Sequence, residues 1–171
     1  MKKWTRSVIP AAIAAIAVAP LSGSASAAQV DENAVGPHGY QDLQLNMPEN
    51  QANATGLLVD RQAEGKCHYY YLRPSEGKPH PGSGVFVSET KGVVMIGGTD
   101  QTHTPEGLGF GDHFAEVKAA HPTLHSTDDP SWVYTAPVPG NPDAQYRFAF
   151  SEEGTVSDFG LEAKDMAECG S

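Results

Sequence analysis

Two cysteines, seven histidines, two adjacent carboxylate pairs and a run of three tyrosines are the residues of this chain whose chemistry could be put to use. Cys67 and Cys169 stand far apart with no third cysteine, and a single even pair in an exported chain reads as a structural disulfide rather than a redox or metal pair. The histidines are His38, His68, His80, His103, His113, His121 and His125. His121 and His125 lie four apart with Asp128 and Asp129 close behind, which makes His121, His125 and Asp129 the candidate zinc or copper ligands. Pro122 interrupts the helical turn that would place both histidines on one face, and loop and helix-end histidines are the plainer reading. Asp128-Asp129 and Glu152-Glu153 fall in turns, where both carboxylates of a pair stay solvated and ionised. That is unlike the acid/base pair of a glycosidase.

No Gly-x-Ser-x-Gly, phosphate-binding loop or His-Glu-x-x-His motif occurs, and Gly82-Ser83-Gly84 reads as a turn. Neither an enzymatic activity nor a cofactor is expected. The aromatic run is more suggestive. With Tyr70 and Leu72 turned to the core, Tyr69, Tyr71 and Arg73 face the opposite way, and Phe86 joins them when Val85 and Val87 point inward. Tyr69, Tyr71, Arg73 and Phe86 are then the candidate partner-binding residues, since aromatics and arginine dominate binding hot spots. The opposite assignment, with Tyr69 and Tyr71 inward beside Cys67, is also compatible with the alternation.

These residues sit in a chain that carries an export signal by pattern. Lys2, Lys3 and Arg6 precede a short apolar core from Val8 to Leu21, and Ala25-Ser26-Ala27 supplies a cleavage site before Ala28. Residues 1–27 are therefore expected to be a signal peptide, leaving a secreted, extracellular protein that is monomeric and not attached to membrane. Beyond residue 27 the chain has 21 acidic against 8 basic residues, a formal charge of −13 with histidine neutral. Such a surface disfavours nucleic acid and anionic lipid, and steers a basic protein toward it.

Residues 28–39 are polar and without periodicity and read as a flexible N-terminus. Leu43, Leu45 and Met47 alternate with polar residues, and a two-turn helix starts at Pro48 and stops at Gly56. Strands are expected at 66–73, 85–87 and 93–96, the last two joined by the turn 88–92. A second helix is expected from His113 to Ala120 with Asp112 as its cap, Phe114, Val117 and His121 on one face, and Pro122 as its end. A strand candidate at 132–134 and a Pro-rich loop from Pro137 to Pro142 follow. Tyr146, Phe148 and Phe150 alternate with Arg147, Ala149 and Ser151 as a half-buried strand, and a bulge is expected between Val156 and Phe159. The same order of elements in 40–103 and 104–171, with matching hairpins Phe86-Val87-Ser88-Glu89 and Ala149-Phe150-Ser151-Glu152, predicts two tandem repeats. The fold class is α+β: two units of short helix plus antiparallel strands, helices on one face of the sheet, and one disulfide.

Leu43-x-Leu45-Asn46-Met47-Pro48 with Ala54-Thr55-Gly56, and Thr104-x-x-Gly107-Leu108-Gly109-Phe110-Gly111-Asp112 with Glu116-Val117 and His121-Pro122, carry a resemblance. The pattern resembles the helix-start signature of the beta-lactamase-inhibitor-like families and of the small outer-membrane assembly lipoproteins. It also resembles a group of exported actinobacterial proteins, whose pattern has glycine at the position of Asn46. The resemblance implies tandem helix-on-sheet units and an inhibitor-like role by surface contact with an extracellular protein. The other expectation, from the histidines, is a small-ligand or metal-binding protein.

Overall fold

The computed structural model describes residues 31–127 and 132–170. The expected signal peptide 1–27, its cleavage site and the candidate ligand Asp129 lie outside the described residues. The chain folds as an antiparallel sheet with two short helices and the Cys67–Cys169 disulfide, whose Cα atoms are 5.2 Å apart.

Short strands β1 (Gly39–Tyr40) and β2 (Leu43–Gln44) form a tight hairpin, followed by helix α1 (Glu49–Ala54). Asn46, between them, takes φ +64°, the left-handed region that glycine or asparagine adopts most readily. The strands β3 (Leu58–Glu64), β4 (Cys67–Leu72), β5 (Val85–Ser88) and β6 (Gly92–Gly97) then form one meander. Helix α2 (Phe114–Ala120) precedes a second, of β7 (His125–Ser126), β8 (Val133–Val138), β9 (Asn141–Phe150) and β10 (Val156–Ala163). Among the described residues these eight strands make one sheet in the order β3-β4-β5-β6-β10-β9-β8-β7, closed at the centre by β6 against β10.

Register decides which face each residue takes. Tyr70, Val85, Val87, Ile96, Leu161, Tyr146, Phe148, Phe150 and Phe159 fall on one face, each 6 % exposed or less, and meet Val117 of α2 and Ala52 of α1 in the core. Residues read as flexible are held from Asn33 onward. Val35 is fully buried, its carbonyl accepts the Tyr146 hydroxyl at 3.0 Å, and its N–H donates to His103. A fully covered valine keeps this polar stretch in place.

Other elements differ from expectation for local reasons. Strand β3 had no counterpart in the sequence reading. It is an edge strand, mostly exposed, and Asp60 at φ +55° breaks its register, so alternation never develops. Strand β8 runs on through Pro137, whose missing N–H is harmless because β7 pairs only as far as Thr135. The cap of α2 is His113, not Asp112: Glu116 accepts the His113 N–H at 2.7 Å, while Asp112 accepts the Gly109 N–H. The bulge before Phe159 is present, between Val156 and Asp158.

Candidate functional site

The second face of the sheet carries the chemistry. It holds Tyr69 and Tyr71 from β4, Phe86 from β5, Met95 from β6, Asp158 and Glu162 from β10, and Gln145 and Arg147 from β9. Both helices and the segment around Val35 pack on the core face. The C-terminal turn, tied through Cys169 to Cys67 and through Glu168 to Thr90, lies against the second face at one end. On that face Met95, Thr135 and Asp158 are each 8 % exposed or less, while the tyrosines stay half-exposed.

Tyr69, Tyr71 and Phe86 form a cluster. Tyr69 meets Tyr71 edge-on at 5.0 Å and Phe86 edge-on at 5.1 Å, and all three are half-buried. The Tyr69 hydroxyl donates to the Ser83 carbonyl at 2.9 Å. Burial and then the neighbouring Tyr71 hydroxyl hold the Tyr69 phenol above its ordinary range, so it stays a neutral donor. Gly84 makes room for the ring: a Cβ there would lie 2.6 Å from the Tyr69 ring and 2.5 Å from the Tyr70 carbonyl. With Gln62 and Gly82 the three rings line a shallow depression of about 290 Å³. Cys67 shares this face, so the disulfide closes the end of the row that Tyr69 and Tyr71 continue.

Beside the rings lies a polar group that the sequence reading missed. Arg147 donates to Asp158 at 2.6 Å, and Gln145 donates to Glu162 at 2.7 Å. Asp158 is 8 % exposed, and its Oδ1 has no hydrogen-bond partner among the described residues. A buried acceptor left open costs stability unless something donates to it. Burial raises the Glu162 carboxyl, with Gln145 and Arg147 offsetting part of the rise. The signal for this group was in the sequence, since Gln145 and Arg147 are the polar positions alternating with Tyr146 and Phe148.

Arg73 does not join the rings. Its Nε donates to Glu76 at 2.7 Å, just past the end of β4. Glu76 also accepts from Tyr40 at 2.7 Å, Gln41 at 2.9 Å and Ser75 at 2.9 Å. Burial would raise its carboxyl, but Tyr40, Arg73 and Ser75 together pull it down to about 2. Arg73 thus serves a buried carboxylate that ties the β1–β2 hairpin to the sheet.

The histidines do not gather. His121 is buried with its ring 5.7 Å from Tyr146 and 5.8 Å from Phe148, on the core face. His125 is exposed, its ring nitrogens at 3.2 Å from the Thr123 carbonyl and 3.3 Å from the Thr135 hydroxyl. Among the described residues no three His, Cys, Asp or Glu side chains are grouped so as to hold a metal ion. His68 has protein partners instead: Glu49 at 2.9 Å, with Arg61 within 3.0 Å of its ring nitrogens. No described helix is long and apolar enough to cross a membrane.

No protein family, curated protein or solved structure matches this chain.

Proposed function

We propose that the chain is an exported, non-enzymatic binding module, acting by surface contact in the manner of an inhibitor. Its binding surface is the uncovered sheet face, and its partner is an extracellular protein with a basic contact surface. The observation that carries this reading is the half-buried cluster of Tyr69, Tyr71 and Phe86, lining a depression on a face that neither α-helix covers. Rings held by one another lose little entropy on binding. The excess of 21 acidic over 8 basic residues beyond residue 27 supplies the charge complementarity. Arg147 is neutralised by Asp158, which leaves Glu162 as the further acidic group of the face.

The tandem-unit reading belongs with this proposal. Its support is the order α1-β3-β4-β5-β6 followed by α2-β7-β8-β9-β10, two helix-plus-meander runs meeting at β6 and β10. Duplication of such a unit doubles the sheet and gives one broad face from two small ones. Export rests on the n-region, apolar core and Ala25-Ser26-Ala27 pattern, together with the disulfide.

Photo-crosslinking tests the reading. A crosslinking amino acid at Tyr71 captures a discrete protein partner from the extracellular fraction of the producing culture, and one at the exposed Ala119 of α2 does not. Capture at Ala119 alone, or equal capture at both, would overturn it. Intact-mass analysis of the recovered protein gives an N-terminus at Ala28.

A further inference from the structure

Trp132 at 59 % and Phe114 at 36 % are the two exposed large hydrophobics among the described residues, and both border the same small cavity. The cavity measures about 180 Å³ and lies on the helix side of the sheet, away from the Tyr69 cluster. Tyr134 and Phe150 line its floor, and Glu152 stands at its edge. Among the described residues no lysine or arginine lines it.

Three of the four rings are packed on one another before anything binds. Phe114 meets Tyr134 and Phe150 edge-on at 5.1 Å each, and Tyr134 meets Phe150 at 5.6 Å. The backbone under the two exposed rings is anchored. The Phe150 N–H donates to the Trp132 carbonyl at 2.8 Å, and the Phe114 N–H donates to the Gly154 carbonyl at 2.9 Å. Four aromatic rings with one carboxylate and no cation form a surface whose ring faces and net charge attract a positive group. A primary ammonium is strongly hydrated and asks for hydrogen-bond acceptors, which ring faces replace poorly. A methylated ammonium gives up less hydration and fills such a cavity with methyl contacts. The volume suits it, since a cavity of roughly 150 Å³ accepts one benzene-sized molecule.

We infer that Phe114, Trp132, Tyr134 and Phe150, with Glu152, form an aromatic cage for a trimethylammonium group. The shared chemistry covers a free quaternary ammonium solute and the headgroup of a choline lipid. This site is independent of the sheet-face surface and stands or falls without it.

The test uses the chain from Ala28 and choline as the probe. The N-methyl proton signal of choline shifts upfield on addition of protein through the ring currents of the cage, and isothermal titration gives saturable binding. The neutral isostere 3,3-dimethylbutan-1-ol binds on the order of tenfold more weakly, as does methylammonium. Trp132→Ala, at an exposed position that leaves the fold intact by circular dichroism, weakens choline binding on the order of tenfold, and Glu152→Gln weakens it less. Phosphatidylcholine vesicles, set against phosphatidylethanolamine vesicles, separate the two sources: sedimentation with the former alone assigns the lipid, and choline binding without sedimentation assigns the solute. No binding of choline or of phosphatidylcholine vesicles, equal binding of the neutral isostere, or unchanged affinity in Trp132→Ala would overturn the inference.

Discussion

The ring of Tyr69 meets that of Phe86 edge-on at 5.1 Å, across directly paired positions of β4 and β5 and on the face that no helix covers. A cross-strand aromatic pair stabilises a sheet beyond the area it buries. A double-mutant cycle of Tyr69→Ala and Phe86→Ala, read from urea midpoints, gives a coupling of about 0.5–1.5 kcal/mol. Strict additivity would place the two rings out of contact in solution.

Gly84 keeps that pair in place. Gly84→Ala puts a methyl 2.6 Å from the Tyr69 ring and 2.5 Å from a backbone oxygen that cannot swing away. The variant loses stability by about 1–3 kcal/mol, as overpacking does, and the Tyr69 ring resonances shift. A wild-type melting temperature with unmoved ring signals would contradict the packing described.

The Cys67–Cys169 disulfide spans 102 residues and holds the C-terminal turn against Thr90. Reduction, or Cys67→Ala with Cys169→Ala, costs about 4–5 kcal/mol by chain entropy. It also frees the C-terminal turn, so hydrogen exchange at the Thr90 amide rises before the core amides open. Coincident loss of protection everywhere would make the bond's contribution purely global.

Glu76 gives the acid limb of stability. Its folded carboxyl lies at about 2, below the ordinary value of 4.5. The contribution is therefore complete above pH 4.5 and is lost as pH falls from 4.5 toward 2, on the order of 3 kcal/mol in all. Glu76→Gln loses most of that stability at pH 7 and flattens the fall between pH 4.5 and 2. An unchanged acid limb in the variant would assign it to other carboxylates.

His121 acts earlier on the pH scale. Burial lowers it from 6.5, with Glu106 at 3.9 Å offsetting only part, and its Nε2 has no hydrogen bond among the described residues. The unfolded chain then takes up a proton first as pH falls through 6.5, so stability is full above 6.5 and declines below it until the folded ring protonates. His121→Phe keeps an aromatic ring against Tyr146 and Phe148 and removes that decline below pH 6.5. The same slope in wild type and variant would exclude His121 as its source.

Elements with strong alternation or turn chemistry were legible. Tyr146, Phe148 and Phe150 face the core, the 88–92 turn joins β5 and β6, and Cys67 pairs with Cys169. Which face the tyrosines take was only half legible, because alternation fits Tyr69 and Tyr71 inward as well as outward; the pairing of Tyr70 with Val85 and of Tyr69 with Phe86 decides it. Strand β3 was not legible, because an edge strand with both faces wet has no hydrophobic period to read. Arg73 was placed by alternation, whereas the strand ends at Leu72 and a buried carboxylate three residues on takes the guanidinium. The Arg147–Asp158 pair depends on β9 and β10 pairing in register across a bulge, which single-strand patterns do not contain.

Binding through the sheet face that neither α-helix covers is the point on which the proposed function turns. Its most direct measurement is the affinity of the partner captured through position 71 for Tyr71→Ala, Phe86→Ala and Glu162→Lys, set beside Ala119→Lys on α2. Each sheet-face variant is expected to lose tenfold or more, as hot-spot truncations give, with an on-rate that falls with salt and no change for Ala119→Lys. Full affinity in all three sheet-face variants, with loss only in Ala119→Lys, would contradict it.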